Sequence, residues 1–293
     1  MGVRVVTDSA CDLPDELVAD HAIEIVPLKI RFGDEELVDR EQLTTDEFWD
    51  RLERSPVLPQ TAAPSAGAFE AAFRRLADDG ASGIICINLS ANLSATMQAA
   101  QVAAAAVGPD CAVAVVDSET VSMGLGNLVL SAARLAATGA SLSEVVTDSE
   151  SRRDRTRLYG ALDTLEYLKK GGRVGNARAM LGSMLSIKPL LEVRDGVVEE
   201  AGRVRTRSKS LRALAEKARG GPVENVAVLH GRAPDLDQLL DLLEPVARRD
   251  DITTGVVGPV IGTHAGPGVI GITFQESEGS RPPSAPAPTR PSA

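Results

Sequence analysis

Three short runs of aliphatic and β-branched residues, Val3–Val6, Gly83–Leu89 and Ala112–Val116, constrain this chain most. Each ends in small polar side chains: Thr7-Asp8-Ser9, Ser90-Ala91-Asn92 and Asp117-Ser118. A run this short and this uniformly apolar fits a strand buried on both faces better than a half-wetted one. Helix-patterned segments lie between the runs, and strands alternating with helices imply a parallel sheet covered on both sides. The first half is therefore expected to be α/β. Open sheets of that kind take their ligands at the strand exits, which makes these hydroxyl-rich exits the first places to look for a site.

Taken in order, Pro14 opens a short helix through Ala19, and Ile23–Leu28 reads as the next strand. Lys29–Phe32 and Glu36–Val38, joined at Gly33-Asp34, read as a hairpin added to that strand. Thr44 and Glu47 form a capping box, after which Phe48, Trp49 and Leu52 share one helical face that the core would cover. Gln60–Ser65 reads as a proline-bounded loop, with Ser65 capping a helix to about Ala77. Ser94 and Thr96 precede an alanine-rich helix. They either cap it or, beside its unpaired amides, help bind an anion such as a carboxylate or phosphate. Two further helices, near Leu125–Ala137 and Ser141–Arg153, close this half.

From Leu158 the pattern changes. A short helix ends at Gly171-Gly172-Arg173, and Met180, Met184 and Leu185 line another. Lys188–Leu191 leads into a hairpin at Asp195-Gly196; then come a helix from Ser208 to Ala218, a strand Val226–Leu229, a helix to about Ala247 and a strand Ile252–Val257. Two α/β domains are expected, 1–155 and 156–279. A tail, 280–293, with five prolines and no aromatic residue, is expected to be disordered. Near the end, Gly258–Gly271 sets one histidine, His264, among five glycines and two prolines, which reads as a tight loop either presenting that imidazole or merely turning between two strands.

Composition removes several classes of function. A net charge of −10 and an aromatic content of 3% disfavour a nucleic-acid binder. Against that background, Lys169–Arg212 carries eleven Lys or Arg and four Asp or Glu, either a scattered solvated surface or a face for an acidic partner or a phosphate group. Cys11, Cys86 and Cys111 have no C-x-x-C spacing and read as free thiols of a reducing compartment. No signal peptide or integral membrane segment is evident, so a cytoplasmic location is expected. With only His21, His230 and His264, no histidine-rich metal site is expected, and no metal or cofactor. His230, at a strand exit, is a lesser site candidate. Gly266-x-Gly268-x-x-Gly271 matches a dinucleotide fingerprint only formally, since too little chain follows to supply a helix and a second strand.

Several segments together resemble the DegV family of bacterial fatty-acid-binding proteins. They are Thr7-Asp8-Ser9 with Asp12-Leu13-Pro14, Thr61–Ser65, Leu93-Ser94-Ala95-Thr96, Asp117-Ser118, Tyr167–Arg173, Lys188-Pro189 and Gly262-Thr263-His264 with Gly266-Pro267-Gly268. The resemblance implies a two-domain DegV-like fold: a parallel-sheet N-terminal domain, a mixed-sheet C-terminal domain, and a long-chain fatty acid between them. It also implies that Thr61, Ser94 and His264 hold the carboxylate, with Ala95 and Thr263 beside them. Some members present the acyl chain to a separate fatty acid kinase; there, Arg173 and Arg205 would supply the charged head-group or partner face. The chain departs from the family pattern at Ala62-Ala63, where Ser-Gln is usual, at Ser90-Ala91, where two serines are, and at Ala95, where glycine is. The methyl group of Ala95 narrows the approach to its backbone N–H.

Elementary energetics agree with a lipid ligand. Taking a sixteen-carbon chain out of water is favourable by about 0.8 kcal/mol per CH₂, on the order of 12 kcal/mol in all. Such a carrier needs an enclosed aliphatic slot and a few convergent polar groups at its mouth. Two hydroxyls and an imidazole meet the second need without an evident third partner to activate a nucleophile. The alternatives are a small-molecule hydrolase or phosphotransferase using Ser94 and His264, and a nucleic-acid accessory protein using the basic strip.

Overall fold

The computed structural model describes residues 2–108, 111–183 and 187–277. The tail expected to be disordered, and Met184 and Leu185, lie outside them. The first half comprises β1 (Val3–Asp8), α1 (Asp15–Asp20), β2 (Glu24–Val26), β3 (Lys29–Phe32), β4 (Glu35–Val38) and α2 (Thr45–Arg54). It continues through β5 (Gln60–Ala62), α3 (Ala66–Asp78), β6 (Gly83–Asn88), α4 (Thr96–Val107), β7 (Val113–Asp117), α5 (Ser122–Ala137) and α6 (Leu142–Arg155). The apolar runs that open the sequence form a four-stranded parallel sheet, ordered β2-β1-β6-β7. All six residues of β6 are buried, as a strand covered on both faces requires.

The hairpin β3–β4 does not extend this sheet. It pairs with β5 in a separate antiparallel sheet, ordered β4-β3-β5, with Ile30 opposite Thr61. Strand β2 stops at Val26 because Pro27 has no N–H for the ladder. The free edge of β3 is taken by Gln60–Ala62, a segment whose prolines suggested a loop.

The second half comprises β8 (Thr156–Ala161), α7 (Glu166–Lys170), a 3₁₀ segment at Gly175–Ser183, β9 (Lys188–Arg194), β10 (Val197–Val204) and α8 (Arg207–Lys217). After these come β11 (Val223–His230), α9 (Leu236–Leu243), β12 (Thr253–Val256), α10 (Pro259–Ala265) and β13 (Ile270–Glu276). Six strands form a mixed sheet, ordered β10-β9-β8-β13-β11-β12, in which only β11 and β12 run parallel. The Asp195-Gly196 turn is a two-residue hairpin with both φ angles positive, 51° and 77°, which suits the strand twist.

One face of the mixed sheet packs on α8 and α9 through Val228, Ile270, Ile272 and Phe274. The other face, with Leu191, Ala227 and Leu229, joins a core that also holds Val5, Ile85 and Val129 from the first half. Helix α5 lies between the two sheets and touches β1 and β6 as well as β8, β11 and β13. Thirteen of its residues are buried, the pattern of a helix with no wet face.

The first half of the glycine-rich stretch read as a loop is helical. Pro259 occupies the first helical turn of α10, where a missing N–H costs nothing, and Gly266 ends the helix at φ 76°. Its glycines recur every fourth residue, so Gly258, Gly262 and Gly266 fall along one side and let Asp12, Trp49 and Tyr167 approach closely. Trp49 lies fully buried against Gly262, and its indole Nε1 donates to the Val257 carbonyl at 2.9 Å. Trp49→Phe would leave that carbonyl buried without its donor and should destabilise the fold by about 1–3 kcal/mol, read as a lower urea midpoint. An unchanged midpoint would show that the bond contributes nothing to stability.

Candidate functional site

Helix α10 carries His264 on its last turn, with the ring turned toward β5. Thr61, in the middle of β5, meets it there, Oγ1 to Nε2, at 3.0 Å. Register places Thr61: its neighbour on β3 is Ile30, a fully buried core residue, and both β3 and β5 lie against α10. Two residues separated by 203 positions thus form one polar pair.

The third predicted residue, Ser94, lies where β6 hands over to α4. Ala95 is the N-cap of α4 and gives no side-chain cap, so neither Ser94 nor Thr96 fills that position. From the position before the N-cap, Ser94 Oγ still accepts from the Thr96 amide of the first helical turn at 3.3 Å, and it pairs with the Thr96 hydroxyl at 2.8 Å. Thr61, Ser94, Ala95 and His264 all line a single cavity. Its walls are aliphatic and come from both halves: Leu28, Leu89, Leu93 and Met123 from the first, Leu168, Val257, Val260 and Ile261 from the second. Glu192, a carboxylate at the lining, is matched by Arg194 at 2.7 Å.

Arg173 also lines the cavity. Its Nε donates to the Leu93 carbonyl at 3.2 Å and its Nη1 to the Gly171 carbonyl at 2.7 Å, so the guanidinium spans the two halves beside Ser94. The loop after β6 is clasped at two more points: Ser90 Oγ donates to the Gly196 carbonyl at 2.7 Å and Asn92 to the Asp195 carbonyl at 3.2 Å. A shallower groove adjoins the mouth, sharing Leu93, Ser94, Ala95 and Arg173 and adding Asn92, Gln98 and Gly172. Arg205, by contrast, is exposed just past the end of β10 and does not line the cavity. Thr263 does not line it either; its hydroxyl donates to the Pro259 carbonyl at 2.8 Å and serves α10 itself.

Burial pushes the His264 imidazole down to about 4, and the positive charge of Arg173 lowers it further within that value. The ring is therefore neutral at physiological pH, and its buried Nδ1 has no hydrogen-bond partner. On that side it packs on Gly171, where an added Cβ would lie 2.3 Å from Nδ1. Glycine is needed there to leave the ring its space. A neutral imidazole, two hydroxyls, a guanidinium and the first turn of α4 make a mouth suited to a single negative charge. They do not make a nucleophile triad: His264 bonds to Thr61, not Ser94, and no carboxylate orients its Nδ1.

No local sequence signal marks Gly171 as the imidazole's neighbour, Ser122 as a cavity-lining residue, or the clasp at Asp195-Gly196. The Gly-Gly pair was visible as a helix stop, but its contact with a residue 93 positions later was not. His230 stays outside the cavity, at the end of β11. Among the described residues no group of three or more His, Cys, Asp or Glu could hold a metal ion, and no helix is long and apolar enough to cross a membrane.

Comparison with known proteins places these features in a family. A family model described as an uncharacterised protein of the DegV family matches residues 2–277. A DegV domain-containing protein of Streptomyces coelicolor is 40% identical over 280 residues, spanning 92% of this chain and 97% of that protein. Among solved structures, a DegV family protein from Thermus thermophilus, described by its fatty acid binding, superposes with a TM-score of 0.85 at 31% identity, over 94% of this chain and 100% of that one. DegV of Bacillus subtilis, described as a fatty acid binding protein, does so with a TM-score of 0.83 at 30% identity, over 94% and 100%. With a family model matching nearly the whole chain and solved relatives superposing over 94% of it, the chain belongs to the DegV family and has its two-domain α/β fold.

Proposed function

We propose that this protein binds one long-chain fatty acid, with its chain in the aliphatic cavity and its carboxylate at Thr61, Ser94 and His264. The observation that carries this reading is the cavity itself: aliphatic walls supplied by both halves, with the bonded pair Thr61–His264 in its lining and Ser94 and Arg173 lining it as well. The fatty acid binding of the Thermus thermophilus and Bacillus subtilis relatives supports it. The ligand would lie between units 1–155 and 156–279, and the protein would act in the cytoplasm as a carrier rather than a catalyst.

Presentation of the carboxylate to a partner fatty acid kinase is the finer part of the proposal. The groove beside Ser94 and Arg173 would give a partner access to the head group, and Arg205, exposed on the basic stretch Lys169–Arg212, would belong to the docking face. The enzyme alternative is weaker, because Ser94 pairs with Thr96 and His264 lacks an orienting acid.

Mass spectrometry of an organic extract of purified protein is the direct test. Stoichiometric fatty acid is expected, while protein that carries none and ignores added palmitate or oleate would refute the reading. Thr61→Val and Ser94→Ala should each weaken palmitate binding by roughly tenfold or more, since a hydrogen bond to a charged group is worth about 1.5–3 kcal/mol. Equal affinity in both variants would move the carboxylate elsewhere.

The imidazole gives a pH signature in delipidated protein. A folded-state value depressed from 6.5 to about 4 means that stability from the neutral ring is complete above 6.5 and lost as pH falls through about 4. His264→Gln should remove that part of the acid destabilisation, so its stability falls less steeply across the window than that of the wild type. Parallel curves would show that the ring titrates normally.

A further inference from the structure

Resting on the fatty-acid reading, the geometry points to Asp12 as a positioning residue for His264, acting through the N-terminus of α10. Asp12 sits just after β1, buried, in a left-handed backbone conformation at φ 51°. Its Oδ1 accepts from the Gly258 amide, the N-cap of α10, at 3.1 Å across 246 residues of sequence. Its Oδ2 accepts from the Ser122 hydroxyl at 2.6 Å. Ser122 is itself in the left-handed region at φ 53° and lines the cavity, so one carboxylate ties the exit of β1, the start of α5 and the start of α10 together. At Gly258 a Cβ would lie 2.7 Å from Asp12 Oδ1, so the close approach requires glycine there.

Seven residues form few intrahelical bonds, and α10 does not hold its own place. Its middle rests on Trp49 and Phe48 at Gly262, and its far end on Tyr167 at Gly266. At the near end Val257, the residue before the N-cap, is bonded on both sides, its amide to the His230 carbonyl at 3.0 Å and its carbonyl to Trp49, and Asp12 is the polar restraint on the N-cap itself. His264 lies on the last turn, where a small tilt of the helix about the Trp49 contact would carry Nε2 away from Thr61, so Asp12 sets the Thr61–His264 geometry without touching it.

A double-mutant cycle tests this, with Kd measured on delipidated protein for palmitate and for palmitate methyl ester, which keeps the chain and lacks the anion. Asp12→Ala should weaken palmitate about tenfold and the ester by less than about threefold, and should add nothing in a His264→Ala background. Asp12→Asn retains an acceptor for Gly258 and should recover palmitate affinity to within about threefold of wild type; it also serves if the alanine variant does not fold. Equal weakening of both ligands, additive effects with His264→Ala, or an Asp12→Asn loss as large as that of His264→Ala would overturn the inference. If wild-type protein binds neither ligand, the fatty-acid reading fails by itself. The ¹⁵N shifts of the His264 ring then decide, unchanged in Asp12→Asn and moved in Asp12→Ala if Asp12 positions it, and the same in all three proteins if it does not.

Discussion

A helix of seven residues closed by glycine at both ends gains little from its own hydrogen bonds, yet α10 carries the imidazole at the mouth of the cavity. Its position therefore depends on what surrounds it. Asp12 holds the first turn, Phe48 and Trp49 pack on Gly262, Gly171 faces the imidazole and Tyr167 lies on Gly266. All four of these contacts use glycine, at Gly258, Gly262, Gly171 and Gly266, because a side chain at each position would collide with a neighbour. Close packing of this sort has few alternative arrangements, which is what a site with a 3.0 Å contact between Thr61 and His264 needs.

The same packing sets the charge states. Burial raises Asp8 and Asp39 to about 6 and Asp12 to about 7, and it lowers His264 to about 4. Desolvation is the leading cause in all four, and it disfavours the charged form in each. The carboxyl groups therefore favour the fold most below their ordinary value of 3.8 and lose that contribution as pH rises through 6 to 7, opposite in sign to the histidine. At the mouth the result is a neutral ring beside one guanidinium, a local surplus of positive charge in a protein whose net charge is −10. An anion with a hydrophobic tail matches both the electrostatics and the walls.

Helix α5 explains why the cavity has walls from both halves. It is buried between the parallel sheet and the mixed sheet, so the two sheets share one core instead of forming two closed ones. Space not filled by α5 is bounded by strand exits on one side and by the inner face of the mixed sheet on the other. The loop after β6 closes over it through Ser90, Asn92 and Arg173, all bonded to or from the opposite half.

Local patterns in the sequence were enough for the parallel sheet, most helix positions, the capping box at Thr44-Glu47 and the Asp195-Gly196 hairpin, because each depends on neighbours in the chain. The resemblance carried by Thr61, Ser94 and His264 also singled out residues that line one cavity. Three features were beyond local pattern. Gln60–Ala62 became a strand because β3 had a free edge to offer; Gly258–Gly271 yielded a helix because its glycines face bulky neighbours at fourfold spacing; and Arg205 and Thr263 stayed out of the cavity lining. The physical reason is common to all three. Hydrophobic periodicity and turn chemistry act over a few residues, whereas strand pairing, close approach and cavity lining are settled by residues tens to hundreds of positions apart that meet only when the chain has packed.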